Sequence, residues 1–262
     1  MKQRILTAII GLIIFIPIIW YGKLPFVITT YLLASIALFE LARMYFVKST
    51  IVYFVLSVVF LWMFMLPKES FMIGYITVTK LSIIVTLLIV LLILTVVTKN
   101  QFTFDHAAYM LLTTLYVGIA FYSITSLRFA GLNYFLFVLI LIWTTDSAAY
   151  FSGRFFGKHK LWPAISPNKT IEGAIGGVIA AIVIGVVFHF VYPFDESYGY
   201  VIIFAFIISV VGQMGDLVAS AIKRHYDVKD FGKIFPGHGG ILDRLDSFSF
   251  VLIVLYVIQF TS

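Results

Sequence analysis

The feature that most constrains this sequence is a series of long, mostly apolar segments that recurs along the whole chain. A helix needs about 20 apolar residues to cross the hydrocarbon core of a membrane. Only helices and closed barrels can hydrogen-bond all of their backbone polar groups in hydrocarbon. These segments lack the alternation of apolar and polar residues that barrel strands show. The sequence therefore predicts an all-α fold, a polytopic membrane helical bundle with about nine transmembrane helices. The predicted spans are 5–21, 25–46, 51–66, 72–98, 107–127, 132–152, 172–192, 199–222 and 242–260.

Composition excludes a water-soluble fold and several kinds of chemistry. Hydrophobic residues make up 62% of the chain and charged residues 11%, whereas a typical soluble domain is about 45–50% apolar and about 25% charged. The chain contains no cysteine, which excludes disulfides, thiolate metal sites and a cysteine nucleophile. Because no small-residue cleavage site follows the first apolar segment, we expect that segment to remain as a span rather than to act as a signal peptide.

The distribution of lysine and arginine predicts how the spans are oriented. With the N-terminus in the cytoplasm, fourteen of these residues fall in cytoplasmic segments and three in outside loops. This is the asymmetry described by the positive-inside rule. It predicts that the long polar loops 153–171 and 223–241 face the cytoplasm.

The two halves of the chain differ in their polar residues. Residues 1–140, with about five predicted spans, form an N-terminal transmembrane part that contains little chemistry. Glu40 and Arg43 lie three residues apart near a helix end there and fit a local ion pair. Residues 141–262 contain almost all of the unusual polar residues, so we predict that they form the catalytic region, with a site that faces the cytoplasm.

A carboxylate near the end of the eighth span marks the first candidate site. Asp216, Ser220 and Lys223 recur at i, i+4 and i+7, so an acid, a hydroxyl and an amine share one helix face. Arg224 follows directly. An acid at membrane depth is costly and indicates function by default. The alternative is a structural ion pair between Asp216 and a basic residue on a neighbouring helix.

A glycine-rich loop and two carboxylates follow this span. Gly239 and Gly240 allow the backbone to approach a ligand closely, and such loops often bind phosphates through their N–H groups. Asp243 and Asp246 share a face of the next helix at i and i+3. Since Mg²⁺ is typically held by one or two carboxylates plus substrate phosphates, we predict a divalent cation site that Asp216 completes. Whether the site holds a second cation stays open.

A second polar cluster lies between the sixth and seventh spans. Its members are Asp146, Ser147, Tyr150, Ser166, Lys169, Thr170 and Glu172. Ser166 or Thr170 is suited to capping the next helix, and Glu172 suits a helix N-terminus. The same amides, together with Lys169, are equally suited to binding phosphate, so both roles stay open.

Three acids, a group of cations and a glycine-rich loop at one membrane surface indicate phosphoryl or nucleotidyl transfer to a lipid substrate. Catalysis of this kind depends mainly on positioning and on charge neutralisation by metal and cations. A transporter would also place acids and glycines within its helices. It would not need basic and acidic residues so closely spaced at one cytoplasmic edge.

Segment 220–246 resembles the signature of the phosphatidate cytidylyltransferase (CDP-diacylglycerol synthase) family. That pattern is a serine, then Lys-Arg, Lys-Asp, a small residue, Pro, His-Gly-Gly, Asp-Arg and a final Asp. The matching residues are Ser220, Lys223, Arg224, Lys229, Asp230, Gly232, Pro236, His238, Gly239, Gly240, Asp243, Arg244 and Asp246. Segments 143–158 and 166–173 also resemble the second polar region of the family.

The resemblance implies transfer of CMP from CTP to phosphatidic acid, giving CDP-diacylglycerol and pyrophosphate with Mg²⁺ as the cofactor. The implied metal ligands are Asp216, Asp243 and Asp246, and the implied phosphate-neutralising residues are Lys223, Arg224 and Arg244. The implied substrate-binding residues are the cluster from Asp146 to Glu172 together with Ser220, Lys229, Asp230, His238, Gly239 and Gly240. The implied partners are CTP, phosphatidic acid, the bilayer of a bacterial cell membrane and a second copy of the chain, with no nucleic acid.

The nearest alternative is a CTP-using polyprenol or phytol kinase, whose C-terminal region resembles this family. Such a kinase transfers the γ-phosphoryl group of CTP and releases CDP rather than pyrophosphate. CDP-alcohol phosphotransferases fit less well, because their Asp-Gly-x-x-Ala-Arg opening is absent from this sequence.

Overall fold

The computed structural model describes residues 2–45, 50–67, 70–73, 75–235, 239–258 and 260. Helices dominate this part of the chain. They are α1 (Lys2–Tyr21), α2 (Lys23–Tyr45), α3 (Thr50–Phe64), α4 (Lys80–Val97), α5 (Phe104–Ala130), α6 (Leu132–Phe156), α7 (Ile171–Val191), α8 (Tyr198–His225) and α9 (Leu242–Val257). Two antiparallel hairpins lie between helices. The first, between α3 and α4, pairs β1 (Ser70–Ile73) with β2 (Ile76–Thr79). The second, between α6 and α7, pairs β3 (Lys160–Trp162) with β4 (Ser166–Thr170).

Among the described helices, six are long and apolar enough to cross a membrane: α2, α4, α5, α6, α7 and α8. Large apolar side chains such as Val96 and Phe190 remain exposed along these helices. A water-soluble monomer rarely tolerates so much exposed apolar surface, whereas hydrocarbon favours it. The chain is therefore a multi-pass helical membrane protein, as the sequence predicts.

The helices follow the predicted spans closely, except at α4. The sequence predicts one span over 72–98, but the helix begins only at Lys80, after the β1–β2 hairpin. The four residues of β2 are all β-branched, which favours a strand over a helix. Thr79 then caps α4, since its hydroxyl accepts a hydrogen bond from Ser82 N–H (3.1 Å). The helix prediction is wrong for the described residues of 72–79.

The chain divides into two compact units, each with its own buried core. The first is 1–126 together with 231–244, and the second is 127–230 together with 245–262. Leu91 and Met110 are fully buried in the first unit, as are Leu141 and Ile208 in the second. The functional division predicted at residue 140 rests on where polar residues occur, and it stays a prediction.

Helices α6 and α7 of the second unit pack with their backbones close together. A Cβ added at Gly173 would lie 2.7 Å from the carbonyl oxygen of Ala149, and one at Gly177 would lie 3.0 Å from that of Thr145. Small residues at helix interfaces permit such close approach in membranes. The contact holds the part of α6 that carries Asp146 against the start of α7.

Candidate active site

Three acidic side chains and one lysine interact in the second unit, and they come from four different segments. Lys169 of β4 forms an ion pair with Asp216 of α8, with Nζ 2.5 Å from Oδ2. The carboxylate of Asp146 in α6 interacts electrostatically with this pair and with Asp246 of α9. We call these four residues the acidic cluster. One lysine against three carboxylates leaves excess negative charge, which favours binding of a cation.

The ion pair in the acidic cluster is accessible. The Lys169 side chain is 26% exposed and that of Asp216 is 32% exposed. The sequence leaves two interpretations of Asp216 open, a functional acid or a structural ion pair with a neighbouring helix. Its partner lies in the strand just before α7, and a partly exposed ion pair contributes little stability. The observed contact therefore does not exclude a functional role for either residue.

Hydrogen bonds extend from this pair along the interface of α7 and α8. Lys169 Nζ also donates to the backbone carbonyl of Gln213 (3.3 Å), and Gln213 Nε2 donates to the carbonyl of Ala174 (3.2 Å). The same Nε2 lies 3.5 Å from Ser209 Oγ. Sequence reasoning missed Gln213, although Ser209, Gln213 and Asp216 recur at i, i+4 and i+7, a spacing that places them on one helix face.

Glu172 and Thr170 hold the β3–β4 hairpin to the start of α7. The Glu172 carboxylate accepts hydrogen bonds from the N–H groups of Lys158 (3.1 Å) and His159 (3.2 Å), and it lies 2.6 Å from His159 Nδ1. Thr170 caps α7, because its hydroxyl accepts a hydrogen bond from Gly173 N–H (3.1 Å). The predicted capping role of Thr170 is confirmed. Substrate binding by Thr170 and Glu172 stays a prediction.

The other predicted residues of this polar cluster lie on α6 and β4. Ser147 and Tyr150 are exposed on α6, and the Tyr150 hydroxyl accepts a hydrogen bond from Arg154 Nη1 (3.3 Å). Ser166 begins β4 and is half-buried, and the capping role proposed for it is taken by Thr170.

The predicted basic residues follow the acid along α8 and beyond its end. Ser220 and Lys223 lie on the same unbroken helix as Asp216, as the sequence predicts. Lys223 is in the last turn, where the helix dipole favours a cation, so it also has a structural reason to be there. The exposed members of the predicted set are Arg224, Lys229, Asp230 and Arg244, while His238 lies outside the described residues.

In the first unit, Asp243 binds the glycine-rich loop from the start of α9. Its side chain is buried, and Oδ2 accepts hydrogen bonds from the N–H groups of Phe231 (2.8 Å) and Gly240 (2.9 Å). Gly239 has a φ of +86°, which a residue with a side chain rarely adopts. Asp243 therefore has a structural role that the sequence did not indicate.

A second carboxylate reaches the start of α9 from α2. Glu40 is 3% exposed and accepts hydrogen bonds from the N–H groups of Ile241 (2.9 Å) and Leu242 (3.1 Å). The local ion pair with Arg43 that the spacing indicates is wrong, because the partners of this carboxylate are 201 and 202 residues away in sequence. The signal available in the sequence was an acid within an apolar segment, which indicates function by default.

The donor set of the acidic cluster fits Mg²⁺. Within the described residues, no three acidic, histidine or cysteine side chains lie close enough together to hold a metal ion by themselves. Mg²⁺ usually needs only one or two carboxylates, because waters and substrate phosphates complete its coordination. Asp216 and Asp246 provide two carboxylates in this cluster. The third predicted ligand, Asp243, uses one oxygen to bind the loop, and its role as a ligand stays a prediction.

Comparison with known proteins gives a consistent result along the whole chain. A sequence model of the Cytidylyltransferase family matches residues 2–261. A protein of Bacillus subtilis is 46% identical over 259 residues, which are 98% of this chain and 96% of that protein. A Staphylococcus saprophyticus protein is 44% identical over 98% of both chains, and a Staphylococcus aureus protein is 44% identical over the full length of both. All three relatives are named phosphatidate cytidylyltransferase.

Proposed function

Because this chain belongs to the cytidylyltransferase family, we propose that it transfers CMP from CTP to phosphatidic acid. The products are CDP-diacylglycerol, which serves phospholipid biosynthesis, and pyrophosphate. The observation that carries this conclusion is the similarity, over 98–100% of this chain, to three proteins named phosphatidate cytidylyltransferase. The acidic cluster and the glycine-rich loop both lie within the matched region.

In this reaction an oxygen of the phosphatidic acid phosphate attacks the α-phosphorus of CTP. A new P–O bond forms, and the bond from the α-phosphorus to the oxygen shared with the β-phosphate breaks. Pyrophosphate leaves with that electron pair. The attacking phosphate is already ionised near neutral pH, so its attacking oxygen carries negative charge before the step begins. The protein must position two anionic groups and neutralise their charge.

The basic residues supply part of that neutralisation. Lys169 lies in the acidic cluster through its contact with Asp216, and its ammonium group carries the charge needed by a phosphate bound there. At the end of α8, Lys223 and Arg224 add two cations, and Arg244 adds one in the first turn of α9. Arginine binds phosphate through paired N–H donors, whereas lysine acts as a point charge.

Asp216 and Asp246 are the residues that hold Mg²⁺ in this proposal. When bound, the ion would supply charge neutralisation for the phosphates of CTP and of pyrophosphate. Asp146 adds negative charge that strengthens cation binding, and Lys169 reduces the repulsion among the three carboxylates. Asp243 is the third ligand predicted from the sequence.

The same proposal includes the orientation of the helices in the membrane. The other three helices, α1, α3 and α9, cross the membrane together with the six named above, and the N-terminus is cytoplasmic. Fourteen against three basic residues support this arrangement. In a chain without cysteine, Lys233→Cys introduces a single thiol. It should react with a membrane-impermeant maleimide in inverted vesicles and not in intact cells, and the reverse pattern would overturn the orientation.

The position of a radioactive label in CTP tests the reaction. Purified protein in detergent is given phosphatidic acid, Mg²⁺ and CTP labelled at either the α- or the γ-phosphate. We expect α-label to enter the lipid and γ-label to leave as pyrophosphate. If γ-label enters the lipid instead, the protein is a lipid kinase and the proposed function is wrong.

A further inference from the structure

Glu40 lies in α2, far from the signature in sequence, yet it contacts the beginning of α9. Its carboxylate accepts hydrogen bonds from two successive backbone N–H groups, those of Ile241 and Leu242. The side chain is almost completely buried, at 3% exposure. A buried carboxylate is costly unless its oxygens are hydrogen-bonded. These two bonds explain how an acid is tolerated there.

The contact changes what the glycine-rich loop can bind. The N-terminus of a helix is normally a site for anions, because its first N–H groups have no partner within the helix. Here Gly240 N–H donates to Asp243, and the next two N–H groups donate to Glu40. Gly239 N–H donates to the carbonyl of Phe235 (3.1 Å). The chain's own acceptors already occupy the amides that the sequence assigns to phosphate.

Two glycines of the signature make room for this carboxylate. A Cβ added at Gly232 or at Gly240 would overlap the Glu40 carboxyl group. Neither glycine has a positive φ, in contrast to Gly239, so a special backbone conformation does not explain them. The space that Glu40 occupies does explain them.

We infer that Glu40 is a positioning residue for the signature: its carboxylate fixes where α9 begins and how the preceding loop is shaped. That helix carries Asp243, Arg244 and Asp246 in its first turns. As a role in catalysis, this inference rests on the proposed function. Catalysis by positioning is sensitive to displacements of about 1 Å, so a helix start that is held less firmly lowers turnover.

The isosteric substitution Glu40→Gln tests this role in the full-length protein. The amide keeps the size of the side chain but turns an NH₂ group toward one backbone N–H. We expect amide hydrogen exchange in the segment 239–245 to rise about tenfold, because two N–H groups lose a charged acceptor. The exchange of peptides from α5 should not change. We also expect kcat to fall about tenfold while KM for CTP changes less than about threefold, since positioning acts on the transition state.

Glu196→Gln is the matched control, because Glu196 is exposed in the loop between α7 and α8. It should change neither exchange nor turnover. If Glu40→Gln has the exchange and kcat of the wild type, Glu40 is not a positioning residue. If the wild-type protein makes no CDP-diacylglycerol, the proposed function fails, but the exchange measurement still decides whether Glu40 holds the start of α9.

A second pair of variants keeps the test decisive if Glu40→Gln does not fold. Gly240→Ala inserts a methyl group into the space of Glu40, and Glu40→Asp shortens the acid by one methylene. In the double variant the methyl group fills the vacated space. We therefore expect its kcat to exceed the product of the single-variant effects by about threefold or more. Strictly multiplicative effects would contradict direct contact between these two residues.

Discussion

The two groups of carboxylates in this molecule differ in what satisfies them. In the acidic cluster, Asp216 pairs with a lysine side chain and interacts with Asp146, and it remains 32% exposed. At the start of α9, Glu40 and Asp243 are buried and accept hydrogen bonds from backbone N–H groups. A buried carboxylate can release a backbone N–H donor only if the loop unfolds. The two partners of a partly exposed ion pair separate easily. The first group is suited to binding and releasing ligands, and the second to fixing a shape.

Asp246→Asn tests the ligand-binding side of this comparison and should have the largest effect. The change removes one carboxylate charge from the acidic cluster at nearly constant size. We expect turnover to fall about 10³-fold, because charge stabilisation of the transition state is the main catalytic contribution. Thermal unfolding in detergent should remain close to that of the wild type. Turnover near the wild-type level would remove Asp246 from the proposed metal site.

Asp243→Asn should combine a catalytic and a structural effect. The amide oxygen can still accept both N–H bonds, but it carries less negative charge than the carboxylate oxygen, so both bonds become weaker. We expect turnover to fall at least about 10²-fold and the free energy of unfolding to fall by about 1–3 kcal/mol. Denaturant titration of this variant beside Asp246→Asn separates the two groups of acids. Equal stability of both variants would show that Asp243 does not hold the loop.

Lys169→Gln breaks the ion pair of the acidic cluster and should have a smaller effect. Without the ammonium group, Asp216 loses its cationic partner, and a bound phosphate loses one neutralising group. We expect kcat/KM for CTP to fall about tenfold, with Lys169→Arg retaining most of the activity. Lys160→Gln, at an exposed position of the paired strand β3, is the control. An equal loss in both variants would indicate a general charge effect rather than this contact.

Thr170→Ala should have the smallest effect, and we expect it mainly on stability. It removes the hydroxyl that caps α7, so we expect the free energy of unfolding to fall by about 1 kcal/mol. Thr170→Ser keeps the hydroxyl and should retain the stability of the wild type, as measured by thermal unfolding. If serine is as destabilising as alanine, the methyl group matters more than the cap.

The sequence predicts the helices well because hydropathy over a long segment decides whether it crosses a membrane. Its failure at 76–79 has a local cause, since a run of β-branched residues favours a strand even within an apolar stretch. The shared helix of Asp216, Ser220 and Lys223 was also predictable, because helical spacing is a local property. The cap at Thr170 was recognisable for the same reason.

Contacts between distant segments were not predictable in this way. The spacing of residues in the sequence does not predict the contact of Lys169 with Asp216 or that of Glu40 with Ile241. Such contacts depend on how the helices pack. The sequence assigned the glycine-rich loop to a ligand, but it could not show that two acids of the chain occupy the loop amides.

The bond between α2 and the start of α9 has a consequence for how the protein is synthesised. The acceptor, Glu40, leaves the ribosome 201 residues before its first donor, Ile241. Until then this acid is in a membrane helix without its final partners. A chain cut at residue 140 separates the donor from the acceptor. Chimeras that exchange N-terminal halves between relatives should therefore keep wild-type turnover only when the incoming half supplies an acid at position 40.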